Sequence, residues 1–327
     1  MDSTTSSPIS IDAEQVQKES AELTILGAGA WGTALAQLVE KNEHTVCLWS
    51  RRAAITLAEA VAGSHVILSA VSMKGVPAVA AQLKAAGIPR ETILVTATKG
   101  LDPETTRTPS QIFQDTFPDN PVVVLSGPNL SKEIEKGLPS ATVAASTHPE
   151  AAEAVQYLFA SEIFRVYSSP DPLGAELGGT LKNIIAIAVG VCEGLALGSN
   201  ARSALMTRAL PEMIRIGTHL GGQAETFVGL SGLGDMLATC TSVLSRNYRV
   251  GYGLAQGKSL EQILEEIGST AEGVNTTNVL IQIANREQIP APISRQVYRL
   301  LNGKITAQEA VEALMERDLK AEACLLT

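Results

Sequence analysis

The sequence contains few cysteines, and their spacing excludes two classes of site. Four cysteines occur in 327 residues, and no two of them form a Cys-X-X-Cys pair. That pattern argues against a disulfide framework and against a cysteine-rich zinc site. The four histidines are also isolated, and none of them has the spacing of metal ligands. The sequence therefore predicts no metal site.

Basic charge and aromatic side chains are also scarce. The chain has 25 Lys and Arg residues against 34 Asp and Glu residues, which gives a net charge of −9. An acidic chain lacks the broad basic face that binds a phosphate backbone, so we expect no nucleic-acid partner. Aromatic residues make up only 4% of the chain, but hydrophobic residues reach 45%, which leaves enough aliphatic material for a packed core.

Long hydrophobic runs are missing as well. The longest apolar run, residues 184–192, stops at Glu193, far short of the ~20 residues that a membrane-spanning helix needs. We therefore expect no membrane insertion. Residues 1–20 are polar and rich in Ser and Thr, without the basic start and apolar block of a secretory signal. The sequence predicts a flexible tail over residues 1–20 of a cytoplasmic protein.

Short β-branched runs alternate with alanine-rich helical segments in the first half of the chain. The runs cover residues 23–26, 45–49, 66–70, 93–96, 122–125, 141–145 and 163–167. This alternation predicts an α/β fold, a doubly wound and mainly parallel sheet with helices on both faces. After the Ser-Ser-Pro-Asp-Pro stretch at 168–172 the pattern becomes helical. We predict a sheet domain over residues 21–169 and an all-helical substrate and catalytic domain over residues 170–327.

A glycine-rich motif lies between the first run and a helical segment. Gly27, Gly29 and Gly32 occur in the stretch Gly-Ala-Gly-Ala-Trp-Gly, directly after the first run. The first glycine permits a tight turn, the second lets backbone approach a pyrophosphate, and the third allows a helix to pack closely on a strand. A glycine-rich turn without a ligand is the alternative. The motif predicts a Rossmann-like site, which makes residues 21–169 a dinucleotide-binding domain.

The second run is followed by basic residues rather than by an acid. A site specific for NAD usually has an acidic residue here, which binds the ribose hydroxyls. This chain instead has Ser50, Arg51 and Arg52, and two guanidiniums beside a hydroxyl suit a 2′-phosphate. A solvated basic loop is the alternative. The sequence favours NADPH and leaves NADH open as a second cofactor.

Two lysines are candidates for chemistry. Lys99 follows the run 93–96, at the carboxyl end of a strand, where doubly wound folds bind ligands, and Gly127 has a similar place after the next run. Lys182 lies in an apolar helical segment whose neighbours on the helix offer no carboxylate. Because a buried, unpaired ammonium is costly, we expect Lys182 to line a cleft and to donate a proton to a substrate oxygen. Snorkelling of its ammonium to the surface is the alternative.

A third polar cluster lies further along the chain. A glycine-rich stretch carries one acid, Asp235, and Ser245, Arg246 and Asn247 follow it. A hydroxyl, a guanidinium and an amide in a row suit a phosphate monoester. The same tripeptide is common on protein surfaces, so an ordinary surface segment is the alternative.

Together these residues resemble the bacterial-type NAD(P)-dependent glycerol-3-phosphate dehydrogenases. The matching stretches run in the family's order over nearly the whole chain after residue 21. They are GAGAWGTALA at 27–36, ATKGL at 97–101, LSGPNLSKEI at 125–134, FRVYSSPD at 164–171, LGGTLKNIIAIAVGVCEGL at 177–195, NARSALMTRAL at 200–210, GLGDMLATC at 232–240, SRN at 245–247 and AEG at 271–273.

The resemblance implies an activity and roles for individual residues. The reaction interconverts sn-glycerol 3-phosphate and dihydroxyacetone phosphate, a phosphorylated triose, with NAD(P)(H), and it feeds glycerophospholipid synthesis. Lys182 is similar to the residue that accepts and donates the proton, Lys99 to the lysine between cofactor and substrate, and Asp235 to a third catalytic residue. The residues implied to bind substrate are Lys99, Gly127, Asn129, Lys182, Asp235, Ser245, Arg246 and Asn247. With the glycine motif and the basic loop, the cofactor set is Gly27, Gly29, Ala30, Trp31, Gly32, Arg51, Arg52, Lys99, Ser131, Arg246, Thr270 and Glu272.

The chain departs from the family's pattern in two places. The family usually has a helix, a strand and a further helix where this chain has only residues 53–65. That length suffices for about one helix, so we predict that the sheet lacks one strand after its second, which changes how the adenine side is enclosed. The second departure is Asn129, where relatives often carry Thr or another small residue. Because a polar side chain is kept, we expect little effect.

Two other functions fit the same residues. One is a hydroxyacid dehydrogenase built from the same kind of sheet and a helical domain, although Arg246 beside Asn247 argues for a phosphorylated substrate. The other is a non-catalytic NADPH sensor. The joint retention of four residues weighs against it: Lys182, Lys99, Asp235 and Arg246. The sequence leaves the oligomeric state open, a homodimer included.

Overall fold

Seven strands form one sheet in the first half of the protein. The structure, a computed structural model, describes residues 21–268, 270–319 and 322, so the predicted tail over residues 1–20 lies outside the described residues. The strands are β1 Leu23–Leu26, β2 Val46–Trp49, β3 Val66–Ser69, β4 Ile93–Thr96, β5 Val122–Ser126, β6 Ser140–Ala145 and β7 Phe164–Ser169. Their order is β2-β1-β3-β4-β5-β6-β7, and every neighbouring pair is parallel except β5 with β6. The predicted doubly wound, mainly parallel sheet is confirmed.

Helices cover both faces of this sheet. They are α1 Ala30–Lys41, α2 Leu57–Val61, α3 Val76–Ala86, α4 Pro109–Thr116, α5 Ser131–Glu135 and α6 Pro149–Phe159. One apolar core, which includes Leu35 and Phe159, joins α1 and α6 to one face of the sheet. A second core, which includes Leu83 and Phe113, joins α2, α3 and α4 to the other face. A strand that is buried on both faces needs apolar residues throughout, which explains the run Val-Ile-Leu in β3.

Strand β2 forms one edge of the sheet. Only α2 lies between β2 and β3, so the sheet lacks a further strand there, as the length of segment 53–65 predicts. The indole N–H of Trp49 donates to the Ile55 carbonyl at 3.0 Å and closes the loop between β2 and α2. Thr56 then caps α2 in a capping box with Glu59. The loop that carries the two arginines is therefore held at both ends.

The second half of the protein is helical. Its helices are α7 Pro172–Gly194, α8 Gly198–His219, α9 Ala224–Phe227, α10 Asp235–Cys240, α11 Arg246–Ala255, α12 Leu260–Ile267, α13 Glu272–Arg286, α14 Pro292–Leu301 and α15 Ala307–Met315, with a π-helical turn, Leu230–Gly234, before α10. Among the described residues that follow β7, none belongs to a strand. The predicted succession of a sheet and then an all-helical part is confirmed.

Helix α7 is the central element of the helical half. It begins at Pro172 because the carboxylate of Asp171 accepts the amide of Gly174 at 2.8 Å. Its length and composition would suffice to cross a membrane, but the apolar part of the helix is 100% buried inside the protein. Helices α8, α10, α11 and α13 pack around it. Helix α7 is therefore a core helix, and it carries Lys182 into the interior.

Candidate active site

Two lysines meet at one carboxylate between the sheet and the helical half. Lys99 follows β4, Lys182 lies in the middle of α7, and Asp235 is the first residue of α10. The Lys99 ammonium donates to one carboxylate oxygen of Asp235 at 2.5 Å, and the Lys182 ammonium donates to the other at 2.8 Å. Asp235 therefore holds two positive charges side by side at the carboxyl end of β4.

This cluster is largely removed from water. The side chain of Asp235 is 2% exposed and that of Lys182 is 8% exposed, whereas Lys99 keeps 21%. Burial lowers the pKa of Lys182 to about 8; the charge of Asp235 opposes this shift and the charge of Lys99 adds to it. A lysine with such a pKa gives up and regains its proton close to neutral pH, as a general acid and base must.

The partners of Lys182 come from α10. The neighbours of Lys182 on its own helix offer no carboxylate, but its ammonium is not unpaired, because Asp235 supplies one across the bundle. Thr239, one turn after Asp235, also contacts the Lys182 ammonium, and its hydroxyl lies 3.3 Å from the Asp235 carboxylate. Thr239 is not among the residues predicted from the sequence. Its spacing of four from Asp235, which puts both on one helix face, is the signal that identifies it.

The loop after β5 contributes Gly127 and Asn129. The Gly127 carbonyl accepts from the Lys99 ammonium at 3.3 Å, so Gly127 lies beside the cluster. A Cβ at this position would lie 2.8 Å from the Cα of Thr142 in β6, which leaves room only for glycine. The Asn129 amide instead donates to the Ala141 carbonyl at 3.0 Å. The Asn129 side chain thus ties its loop to β6.

The residues predicted to bind phosphate lie at the start of α11. Ser245 caps this helix with its side-chain oxygen. Asn247 is buried, and its side-chain oxygen accepts the amide of Gly273 at 3.0 Å. Arg246 is exposed, and its guanidinium donates to the Thr270 carbonyl at 2.8 Å. An exposed guanidinium at the N-terminus of a helix is an arrangement that attracts an anion.

Glu272 connects the start of α11 to the turn that carries Lys99. It is the first residue of α13, and a Cβ at Gly100 would lie 3.6 Å from its carboxylate. Burial raises the pKa of the Glu272 carboxyl, and the backbone amide of Met73 and the charge of Arg246 oppose that shift. Glu272 therefore lies where the sheet domain, the Lys99 turn and Arg246 come together.

The glycine motif forms the turn between β1 and α1. Gly27 has a φ of +120°, and a Cβ at Gly32 would lie 1.9 Å from the Gly27 carbonyl oxygen, so both positions require glycine. Gly29 is the N-cap of α1 without a side-chain cap bond, and a Cβ there would meet nothing within 4 Å. A helix N-terminus that faces open space fits the pyrophosphate of a dinucleotide. Ala30 and Trp31 begin the helix at this point.

The basic loop lies next to this turn. The Gly27 amide donates to the Trp49 carbonyl at 2.8 Å, and Arg51 and Arg52 follow Trp49 in the next turn of chain. Both arginines are exposed. The glycine motif and the basic loop therefore meet at the start of α1, and Ser131 begins a helix that packs against α1.

The structure brings the predicted residues together in two groups. The first group surrounds Asp235 and extends to the start of α11; it contains Lys99, Gly127, Lys182, Asp235, Ser245, Arg246, Asn247, Thr270 and Glu272. The second group surrounds the start of α1; it contains Gly27, Gly29, Ala30, Trp31, Gly32, Arg51 and Arg52. Ser131 begins α5, a helix that packs against α1. Asn129 lies beside the first group, but its amide is used within the sheet domain.

Comparisons with known proteins agree on one family. The family profiles described as NAD-dependent glycerol-3-phosphate dehydrogenase N-terminus and C-terminus match residues 22–57 and 52–152, and residues 171–312, respectively. The chain is 68% identical over 302 residues to the glycerol-3-phosphate dehydrogenase (NAD(P)+) of Acaryochloris marina, which covers 92% of this chain and 97% of that protein. It is 66% identical over 301 residues to the protein of the same name from Synechocystis sp., with coverage of 92% and 95%.

A solved structure shares both the fold and the sequence pattern. The crystal structure of glycerol-3-phosphate dehydrogenase from Coxiella burnetii matches with a TM-score of 0.87 and 34% identity, over 91% of this chain and 99% of that one. Sequence identity of this extent, over nearly the full length of each relative, reflects common ancestry. The chain therefore belongs to the family of NAD-dependent glycerol-3-phosphate dehydrogenases.

Proposed function

We propose that the protein interconverts sn-glycerol 3-phosphate and dihydroxyacetone phosphate by hydride transfer, with NADPH as its preferred cofactor and NADH as a second one. The observation that carries this proposal is the pair of lysine ammoniums on the buried carboxylate of Asp235. When a ketone is reduced, negative charge develops on its oxygen, and fixed positive charge in a dry site stabilises it.

Lys182 moves the proton of the reaction. NADPH, when bound, supplies the hydride that the carbonyl carbon accepts. As the carbonyl oxygen gains negative charge, the Lys182 ammonium transfers one proton to it, which leaves an alcohol and a neutral amine that solvent reprotonates. In the reverse direction the neutral amine accepts the proton of the hydroxyl. A pKa of about 8 keeps both forms of Lys182 accessible.

Lys99 adds positive potential at the same place. Two ammoniums and one carboxylate leave the cluster with a net positive charge when both lysines are protonated. A buried cluster with a net positive charge attracts an anionic substrate, and this attraction strengthens as water is excluded from the site. This charge favours a phosphorylated triose over a neutral one.

The start of α11 holds the substrate phosphate in this proposal. Arg246 supplies an exposed guanidinium, and Ser245 and Asn247 flank it at the helix N-terminus. Binding energy gained at the phosphate, away from the reacting carbon, orients the carbonyl toward Lys182. The Glu272 carboxylate supports this layout, because it lies beside the turn that carries Lys99 and feels the charge of Arg246.

The start of α1 holds the dinucleotide in this proposal. The open space at Gly29 leaves room for the pyrophosphate against the helix N-terminus. Arg51 and Arg52 lie on the adjacent loop, where their guanidiniums would bind the 2′-phosphate that distinguishes NADPH from NADH.

The first experiment follows the loss of NADPH absorbance with dihydroxyacetone phosphate. Wild type is compared with Lys182→Ala, and unphosphorylated dihydroxyacetone serves as the substrate control. We expect turnover that requires the phosphate and falls by about 10²–10⁴-fold in the variant. A 2-oxoacid is offered in the same assay, and its reduction in place of dihydroxyacetone phosphate would indicate the related hydroxyacid dehydrogenase class. Tight NADPH binding without turnover of any of these substrates would indicate a sensor.

Cellular location and assembly belong to the same proposal. We place the protein in the cytoplasm, where it would supply glycerol phosphate for membrane lipid synthesis, and a homodimer is the assembly to test first. Size-exclusion chromatography with light scattering measures the mass in solution. A single species at the chain mass of 34.3 kDa would exclude the dimer.

A further inference from the structure

The aliphatic part of the Lys99 side chain packs against α7 at Gly179, which has no side chain. A Cβ at Gly179 would lie 3.1 Å from the Cε of Lys99 and 2.7 Å from the Oγ of Ser126, so a methyl group does not fit there without a shift of its neighbours. Ser126 is the last residue of β5 and is itself buried. The Lys99 side chain therefore passes through a slot between β5 and α7, and the absent side chain of Gly179 provides the space.

The next residue of α7 holds the backbone beside Lys99. The hydroxyl of Thr180 accepts from the buried amide of Gly100 at 3.0 Å. Thr180 is 0% exposed, and Gly100 has a φ of +150°, which L side chains rarely adopt. Because a buried amide without a partner is costly, this bond favours the conformation of the turn that directs Lys99 toward Asp235.

Both residues share a helix with Lys182. Gly179 precedes Lys182 by three residues, so the two lie on the same side of α7. The helix that carries Lys182 thus also determines where Lys99 lies. We infer that Gly179 and Thr180 are positioning residues that fix Lys99 relative to Lys182 for the ketone reduction proposed above, on which the kinetic consequences rest.

Displacement of Lys99 has an electrostatic effect that a pH profile reports. The titratable groups that act on Lys182 are Asp235 and Cys240 from α10 and Lys99 from the loop after β4, and Lys99 lowers the pKa of Lys182. When Lys99 moves away, this effect weakens, so Lys182 keeps its proton to a higher pH. Ketone reduction needs the Lys182 ammonium. The high-pH limb of its rate profile, where the rate falls as Lys182 loses its proton, then moves to higher pH.

Amide hydrogen exchange tests the structural part without any reaction. Thr180→Val should raise the exchange rate of the Gly100 amide at least about tenfold, and Thr180→Ser should restore protection. Thr276→Val is the matched control, because Thr276 is equally buried and its hydroxyl has no hydrogen-bond partner among the described residues. Unchanged protection of Gly100 in Thr180→Val would overturn the inference.

Steady-state kinetics test the catalytic part. Gly179→Ala should lower kcat for ketone reduction about 10²-fold and Thr180→Val about tenfold. Both variants should shift the high-pH limb of the rate profile to higher pH. In Thr180→Ser and Thr276→Val the high-pH limb should stay at the same pH as in the wild type. A lower kcat with an unshifted limb and a lower Tm would mean that the residues only support the fold, which would overturn the inference. A wild-type protein without turnover would refute the proposed function instead, and the exchange of Gly100 would still decide the positioning.

Discussion

Asp235 is the residue on which the charge state of the lysine cluster depends. Its carboxylate raises the pKa of Lys182, whereas burial and the charge of Lys99 lower it. In Asp235→Asn the two lysines face each other without a carboxylate, so the pKa of Lys182 falls and the ammonium loses its proton at lower pH. We expect kcat for ketone reduction to fall about 10²-fold near neutral pH and the high-pH limb to move downward.

The control for this prediction is Asp115→Asn. Asp115 is an exposed carboxylate of α4 that pairs with Arg107 at 3.5 Å, and an exposed pair of this kind contributes little. Initial rates of dihydroxyacetone phosphate reduction are measured as a function of pH for wild type and both variants. A shift of the high-pH limb to higher pH in Asp235→Asn, or no shift at all, would contradict the assigned role of the carboxylate.

The two arginines of the basic loop are the residues that we propose to select NADPH over NADH. Arg51→Ala with Arg52→Ala removes the guanidiniums that we assign to the 2′-phosphate, which only NADPH carries. The KM for NADPH should rise about 10²-fold while the KM for NADH changes less than about threefold. Arg90→Ala, which removes another exposed arginine of the sheet domain, should change neither value. Equal increases for the two cofactors would sink the assignment.

At the scale of elements, the start of α1 separates the needs of folding from those of binding. A Cβ at Gly32 would lie 1.9 Å from a backbone oxygen, whereas a Cβ at Gly29 would meet nothing within 4 Å. Gly32→Ala should therefore lower the free energy of unfolding by about 1–3 kcal/mol or more. Gly29→Ala should leave the free energy of unfolding nearly unchanged and raise the KM for NADPH, because its methyl group enters the open space that we assign to the pyrophosphate.

Urea unfolding and cofactor kinetics of the two variants check this pair together. The prediction requires that the two glycines fail in different ways. If Gly29→Ala proved as unstable as Gly32→Ala, the open space at Gly29 would have to be filled by the protein itself rather than by a ligand.

The strands and the glycine motif are predictable because they depend on local pattern. A strand buried on both faces needs a continuous apolar run, and β1, β3 and β5 have one. The edge strand β7 instead alternates buried and exposed residues, which is the pattern of a strand with one covered face. The side chains that support the site are harder to predict. Thr239 contributes through the phase of a short helix that follows a π-helical turn, and Gly179 contributes by having no side chain. Only the spacing of four from Asp235 marks Thr239 in the sequence, and nothing local distinguishes Gly179 from an ordinary helical glycine.

At the scale of the whole molecule, the pairing of Lys182 with Asp235 depends on how distant segments pack. The two residues are 53 positions apart, and the sequence around Lys182 shows only that it needs a partner or a cleft. Helix α7 can approach the π-helical turn this closely because Gly178 has no side chain. A Cβ at that position would lie only 2.7 Å from the Ser231 carbonyl oxygen. Such close backbone contacts, set by the three-dimensional packing, determine which acid reaches the lysine.

Glu176 joins the two halves of the molecule in a similar way. It lies on α7, and its carboxylate accepts the Ser110 amide at the start of α4 at 2.9 Å, as well as the Ser110 hydroxyl. A carboxylate at a helix N-terminus is a favourable cap. Burial nevertheless dominates and raises the pKa of Glu176 from 4.5 to about 7. The contact between sheet and helical half is therefore sensitive to pH.

This raised pKa sets the direction in which stability changes. Between pH 4.5 and about 7 the folded protein keeps a proton on Glu176 that the unfolded chain has lost, so the free energy of unfolding falls as the pH rises through this window. The loss attributable to Glu176 is roughly 3 kcal/mol at most. Glu176→Gln, which stays neutral and keeps an oxygen for the Ser110 amide, should remove this part of the pH dependence, whereas Glu91→Gln, an exposed control, should retain it. Urea unfolding at several pH values across the window measures the difference, and parallel curves for wild type and Glu176→Gln would show that the carboxyl is not the group that titrates.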